Sequence, residues 1–137
     1  LTDIYLEYGL YREKLINLVR KGAEGAGEIK AMMAGYRSNP PKVINNSPVV
    51  KMNDYSTLVS TNCLTGETGK IDLAKSDVVQ FFLQDGSKIS VRPSGTEPKI
   101  KFYFSVNAPL VSADRLEATE KMLDERISGI IADMKLA

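Results

Sequence analysis

The residues with the clearest chemical potential are the eight in the run Arg92-Pro93-Ser94-Gly95-Thr96-Glu97-Pro98-Lys99. Arg92 offers a planar fork of N–H donors that matches two oxygens of a phosphate. Ser94 and Thr96 place hydroxyl donors on alternate positions. Gly95 has no side chain, so the backbone amides around it can approach an anion closely. Pro93 and Pro98 stiffen the two ends, which lowers the entropy cost of holding a cradle in shape. Lys99 and Lys101 add positive potential nearby. The chemistry this set can do is anion binding. It contains no activated nucleophile and no matched base, so it makes and breaks no bonds by itself. The competing reading is an ordinary solvated turn, because Pro, Ser, Gly and Thr are common turn residues. The residue types alone leave both readings open.

Composition narrows the rest. The chain has 137 residues, a length suited to one small domain. Apolar residues make up 43% and charged residues 26%, the balance of a folded globular chain. Lys and Arg number 18 against 17 Asp and Glu. The signs are interleaved, which argues against a broad polyanion-binding surface. There is no histidine, so imidazole bases, Ser-His pairs and His-ligated metals are excluded within this chain. The single cysteine, Cys63, cannot form an internal disulfide, which suits a reducing, cytoplasmic setting. No apolar run reaches the roughly 20 residues of a membrane span, and the N-terminus lacks a signal-peptide pattern. The chain starts at Leu1 without a methionine and reads as an excised or processed segment.

The elements that must position the loop follow from periodicity. Ile100, Phe102, Phe104 and Val106 alternate with Lys101, Tyr103 and Ser105, as in a half-buried strand. On the other side, Val78 to Gln84 is an apolar strand. Asp85-Gly86 signals a two-residue hairpin that returns the chain through Lys88 to Val91. Val43-Ile44, Val49-Val50 and Leu58 to Leu64 are further strand candidates, the last followed by turn residues Thr65 to Gly69. A helix is expected from Glu28 to about Arg37, with Ile29, Met32, Met33 and Tyr36 on one side, stopped by Asn39-Pro40-Pro41. A last helix, capped by Ser112, should run to about Lys135 with Leu116, Leu123, Ile127, Ile130 and Met134 as its packing stripe. Leu1 to Tyr8 reads as a short helix ended by Gly9. Leu10 to Arg20 fits a helix or a strand. The order implies an α+β fold, an antiparallel sheet with helices packed on one face.

The string Arg-Pro-Ser-Gly-Thr-Glu-Pro-Lys resembles the signature of the last domain of the α-D-phosphohexomutases, the phosphoglucomutase/phosphomannomutase family. The likeness continues in Phe82-Leu83-Gln84-Asp85-Gly86-Ser87-Lys88-Ile89, in Ile29-Lys30-Ala31-Met32-Met33, in Arg37-Ser38-Asn39-Pro40-Pro41, and at Tyr8-Gly9 and Lys21-Gly22. It covers nearly the whole chain. The resemblance implies a TATA-binding-protein-like fold with an extra strand before the first helix, which favours a strand over about Arg12 to Val19. It divides the chain into a tail of the preceding third domain at 1–9 and the C-terminal phosphate-binding domain at 10–137. It implies that Arg92, Ser94, Gly95 and Thr96 hold the substrate phosphate that is not being transferred. No catalytic residue and no metal ligand would then lie in this chain. The intact four-domain enzyme would interconvert hexose 1-phosphate and hexose 6-phosphate, of glucose and/or mannose, through a phosphoserine and a bisphosphate intermediate. Its Mg²⁺ would be bound outside this chain, and its partners would be the sugar phosphate and the three preceding domains. The chain alone would be inactive. A stand-alone phosphosugar-binding module without catalysis is the alternative.

Three weaker features complete the reading. Gly22-Ala23-Glu24-Gly25-Ala26-Gly27 precedes a helix, but Glu24 and Glu28 oppose an anion there, so a flexible connection is expected. Cys63 is expected as a small core residue. Tyr103 could stack on a base, but the charge balance argues against nucleic acid.

Overall fold

The computed structural model describes residues 9–136. The segment read as a short helix at Leu1 to Tyr8, and with it all of the domain tail except Gly9, lies outside the described residues. The strands are β1 (Leu10–Val19), β2 (Val43–Ile44), β3 (Ser47–Asp54), β4 (Val59–Asn62), β5 (Thr68–Lys70), β6 (Val79–Leu83), β7 (Lys88–Pro93) and β8 (Lys99–Ala108). The helices are α1 (Gly25–Ser38) and α2 (Leu116–Asp133). The main sheet runs β1-β8-β7-β6-β3-β4-β5, with β2 paired to β3. All its described pairings are antiparallel. This is the α+β architecture expected from the sequence, with both helices on one face of the sheet.

The alternation in β8 sets the two faces. Ile100, Phe102, Phe104 and Val106 are fully buried, and Tyr103 between them is 43% exposed. Their register partners continue the pattern. Val91 lies opposite Phe102 and Ile89 opposite Phe104, and both are fully buried. α1 contributes Ile29 and Met33 to this layer, and α2 contributes Leu123, Ile127, Ile130 and Ile131. Tyr36 of α1 meets Phe81 and Phe102 edge-on, with centroids 5.9 and 6.3 Å apart. The opposite face of β1, β8 and β7 carries Leu15, Tyr103, Ser90, Lys101 and Arg92 and stays open to solvent.

β1 settles the ambiguous segment. All ten of its residues pair with β8, from Leu10 opposite Ala108 to Val19 opposite Lys99. A helix there would leave the edge of β8 unpaired. α2 crosses behind these two strands and is tied to them by Arg12, 3.2 Å from Glu120 and 3.4 Å from Asp124.

Several local expectations are corrected. α1 starts at Gly25, three residues before Glu28, so half of the glycine run is helix and not a flexible connection. The hairpin after β6 is wider than a two-residue turn. Leu83 N–H donates to Ser87, leaving Gln84, Asp85 and Gly86 as the loop with Gly86 at φ 90°. A positive φ in the third position absorbs the extra residue, a geometry glycine tolerates. Thr68 and Gly69 form β5 instead of a turn. Cys63 is exposed beyond the end of β4, not in the core, because the strand stops at Asn62. Ser112 makes no side-chain cap to the helix. A 3-10 turn at Ala113–Arg115 intervenes, and the Ser112 hydroxyl is engaged by Asp114.

Arg37, near the end of α1, bridges two carboxylates, Asp54 at 3.1 Å and Asp77 at 2.7 Å. Burial works against ionised Asp54. The hydroxyl and amide of Ser56, together with the Arg37 guanidinium, outweigh it and hold this carboxyl below its ordinary value of 3.8. A depressed carboxylate stabilises the fold above its unfolded value, and that stability is lost as pH falls through the folded value. Urea midpoints should therefore drop faster below about pH 4 in the natural sequence than in Asp54→Asn. Parallel midpoint curves for the two proteins would locate the acid sensitivity elsewhere.

Candidate phosphate-binding site

The loop spans the gap between β7 and β8 and is closed from inside. Ser94 N–H donates to the Lys99 carbonyl at 2.8 Å, and Lys99 N–H donates to the Glu97 carbonyl at 2.8 Å. Ser94 Oγ accepts from the amides of Thr96 at 3.4 Å and Glu97 at 3.2 Å. A hydroxyl has two acceptor positions and one donor. Both acceptor positions of Ser94 are spent on the turn, and its proton is left to donate outward. Ser94 therefore both shapes the loop and presents a donor, a double role that residue type alone did not reveal.

Gly95 lies at the exposed tip. Nothing stands within 4 Å of where a Cβ would be. The fold itself does not require glycine there, so its absent side chain leaves room for something outside the protein. Gly25 is the opposite case. A Cβ on it would collide with the carbonyl of Arg20 and lie 3.1 Å from Pro98 Cβ. Arg20 N–H in turn donates to the Pro98 carbonyl at 2.8 Å. The end of β1, the start of α1 and the exit of the loop thus converge at one point, which fixes the loop to the rest of the fold.

The loop has two sides. On the helix side is a cleft of about 790 Å³, lined by Ala26, Ile29, Met33, Pro93 and Pro98 and also by the loop's own Ser94, Gly95, Thr96 and Glu97. Its cations are Lys30 and Arg37, and the latter is neutralised by Asp54 and Asp77. On the open-sheet side is a smaller depression of about 350 Å³, lined by Arg92, Ser94, Gly95, Lys99, Lys101 and Tyr103. The larger cleft has the more apolar lining, its Arg37 is already paired, and an anion entering it would lose hydration with less return. The smaller one concentrates cations, hydroxyl and loop backbone, so it is the better anion site. Lys99 shares its charge with Glu97 at 3.6 Å.

Arg92, Ser94 and Gly95 all line the open-sheet depression. Ser94 and Gly95 also line the helix-side cleft, and Thr96 lines that cleft alone. Lys101, expected only as positive potential nearby, joins Arg92 directly. It is the register partner of Arg92 across the β7–β8 ladder and shares the open face with it. The sequence held the signal, since Lys101 alternates with Ile100 and Phe102. Its pairing with Arg92 needed the register.

The family model for the phosphoglucomutase/phosphomannomutase C-terminal domain matches residues 15–126, a span that includes the whole loop. The chain belongs to this family. It is 39% identical over 107 residues to a phosphoglucomutase of Staphylococcus haemolyticus strain JCSC1435, covering 78% of this chain and 19% of that protein. It is 38% identical over 109 residues to a phosphoglucomutase of Staphylococcus aureus strain MRSA252, covering 80% and 20%. The chain therefore spans about a fifth of the length of the curated relatives it matches. In the solved open form of pp63/parafusin, a phosphoglucomutase from Paramecium, 93% of this chain aligns with 21% of that one at 14% identity and a TM-score of 0.47. Among the described residues no cluster of His, Cys, Asp and Glu is placed to hold a metal ion. No described helix is long and apolar enough to cross a membrane.

Proposed function

We propose that residues 10–137 form the substrate-phosphate-holding domain of a mutase that interconverts hexose 1-phosphate and hexose 6-phosphate, of glucose and/or mannose, in the cytoplasm. Residues 1–9 close the domain before it. The reading is carried by one observation: Arg92, Ser94, Gly95 and Lys101 converge on a single basic depression beside a glycine tip that the fold does not need. In this reading the depression grips the phosphate that stays on the sugar. The phosphoserine, the Mg²⁺ site and the sugar-selecting loop belong to the other domains of the intact enzyme.

The chain's own contribution is positioning. The Arg92 guanidinium takes two phosphate oxygens, the Ser94 proton and the loop backbone at Gly95 reach the others, and Lys101 supplies charge from the neighbouring strand. Thr96 completes the grip from the far side of the loop. Holding one phosphate fixes the distance and direction of the other end of the sugar from the phosphoryl carrier, which is worth rate without any bond made here. Closing the site over the sugar would also exclude water from the transfer.

Titration of the labelled chain with inorganic phosphate and with glucose 1-phosphate, followed by amide NMR, tests the site. Signals of Arg92, Ser94 to Thr96 and Lys101 should move at millimolar ligand, and those of Ala26, Ile29 and Met33 in α1 should not. Unmoved loop amides with both ligands would defeat the assignment. The same sample should give no turnover of glucose 1-phosphate; conversion to the 6-phosphate by the pure chain would show that it carries chemistry of its own.

A further inference from the structure

The open face of the sheet beyond the anion depression carries a second feature. The register places Ser90 opposite Tyr103, and Tyr103 opposite Leu15, one row along from the Arg92–Lys101 pair on the same face. Two residues along a strand are about 6.6 Å. Tyr103 borders the anion depression and also a second depression of about 300 Å³, lined by Glu13, Leu15, Lys88, Ser90, Tyr103 and Ser105. The two depressions therefore share the Tyr103 ring as a common wall. Tyr103 is 43% exposed, on the solvent face of a strand whose adjacent residues Phe102 and Phe104 are fully buried.

The surroundings of that ring are matched to a polyhydroxylated ligand. Glu13 offers an acceptor, Lys88 a donor, and Ser90 and Ser105 hydroxyls that do either. The ring itself offers a flat apolar surface with a partially negative face, suited to the C–H side of a pyranose. A phosphate anchored one row away would place its attached sugar over this row and not over the apolar helix side.

We propose that Tyr103 is the platform for the sugar ring of a hexose phosphate whose phosphate lies in the Arg92–Lys101 depression. The proposal rests on that reading of the depression and adds a positioning surface for the sugar. It assigns Lys88, Ser90 and Glu13 to the hydroxyls.

The test compares inorganic phosphate with glucose 6-phosphate on the full chain, using natural, Tyr103→Ala and Tyr103→Phe proteins. The amides of Glu13 and Ser90 should respond to the sugar phosphate and not to inorganic phosphate, and the Tyr103 ring signals should respond more strongly to the sugar phosphate. Tyr103→Ala should weaken glucose 6-phosphate roughly fivefold more than it weakens inorganic phosphate, while Tyr103→Phe keeps most of the sugar affinity. Loop amides that respond to both ligands, with a silent Tyr103 ring or an unchanged affinity ratio in Tyr103→Ala, would overturn the platform and leave the phosphate site standing. Silence at the loop with either ligand would overturn both. Tyr103 lies on the open face, so core amide dispersion should be the same in all three proteins, and a loss of dispersion in Tyr103→Ala would mean that the ring serves the fold instead.

Discussion

Replacing Arg92 with alanine is expected to weaken phosphate binding roughly 10- to 100-fold, the equivalent of losing a hydrogen-bonded charged group. The side chain stands exposed at the end of β7, with Lys101 as its cross-strand neighbour. Its removal takes away a fork of donors that no other residue in the depression supplies. Lys99 and Lys101 are point charges, and Lys99 is partly engaged by Glu97. Arg92→Lys should therefore recover only part of the affinity, because charge returns and bidentate geometry does not. Lys101→Ala should act in the same direction with a smaller loss. Added salt should narrow all these differences, since the site is open to solvent. Amide NMR titration with inorganic phosphate reads each value. The unfolding midpoint should stay near that of the natural sequence, as an exposed side chain contributes little to the fold. Equal affinity for Arg92→Ala and the natural chain would remove Arg92 from the site.

The second large effect is structural and remote from the anion. Gly25→Ala is expected to destabilise the chain by roughly 3 kcal/mol, the upper part of the usual cost of overpacking. The new methyl would meet the Arg20 carbonyl, which is backbone and cannot rotate away. Either the start of α1 or the end of β1 must shift. The Arg20 N–H bond to Pro98 would shift with it, so the exit of the phosphate loop should be displaced as well. The prediction is thus a lower urea midpoint together with weaker phosphate binding, from a residue that touches no ligand. Gly27→Ala is the control. Nothing lies within 4 Å of a Cβ there, and alanine is the better helix former. Its midpoint should equal or exceed that of the natural chain. If Gly25→Ala and Gly27→Ala behave alike, the convergence of β1, α1 and the loop does not set the loop's position.

Most of the secondary structure was legible because burial on one face imposes a period. β8 repeats every second residue, and α2 buries Leu123, Ile127, Ile130 and Ile131 at helical spacing. Where that signal is weak, the reading slips. β5 is exposed throughout, so nothing in its composition separates it from a turn. Cys63 belongs by type to a core, but it follows the last paired residue of a short strand and faces solvent. The start of α1 was obscured by glycines that disfavour helix in isolation. Packing against Arg20 and Pro98 selects glycine at position 25, and that is a tertiary demand.

By itself, the sequence carried the family and the α+β class, and it singled out Arg92 to Thr96 as the candidate anion-binding run. These rest on residue types at fixed spacing along the chain, and such information is local. Only the tertiary structure decided on which side of the loop the cations gather, that Lys101 faces Arg92, and that Tyr103 borders them. Those facts depend on the register between β7 and β8, where a slip of one residue would send Lys101 to the core face. The same register gives the loop its two unlike sides, one apolar against α1 and one basic on the open sheet.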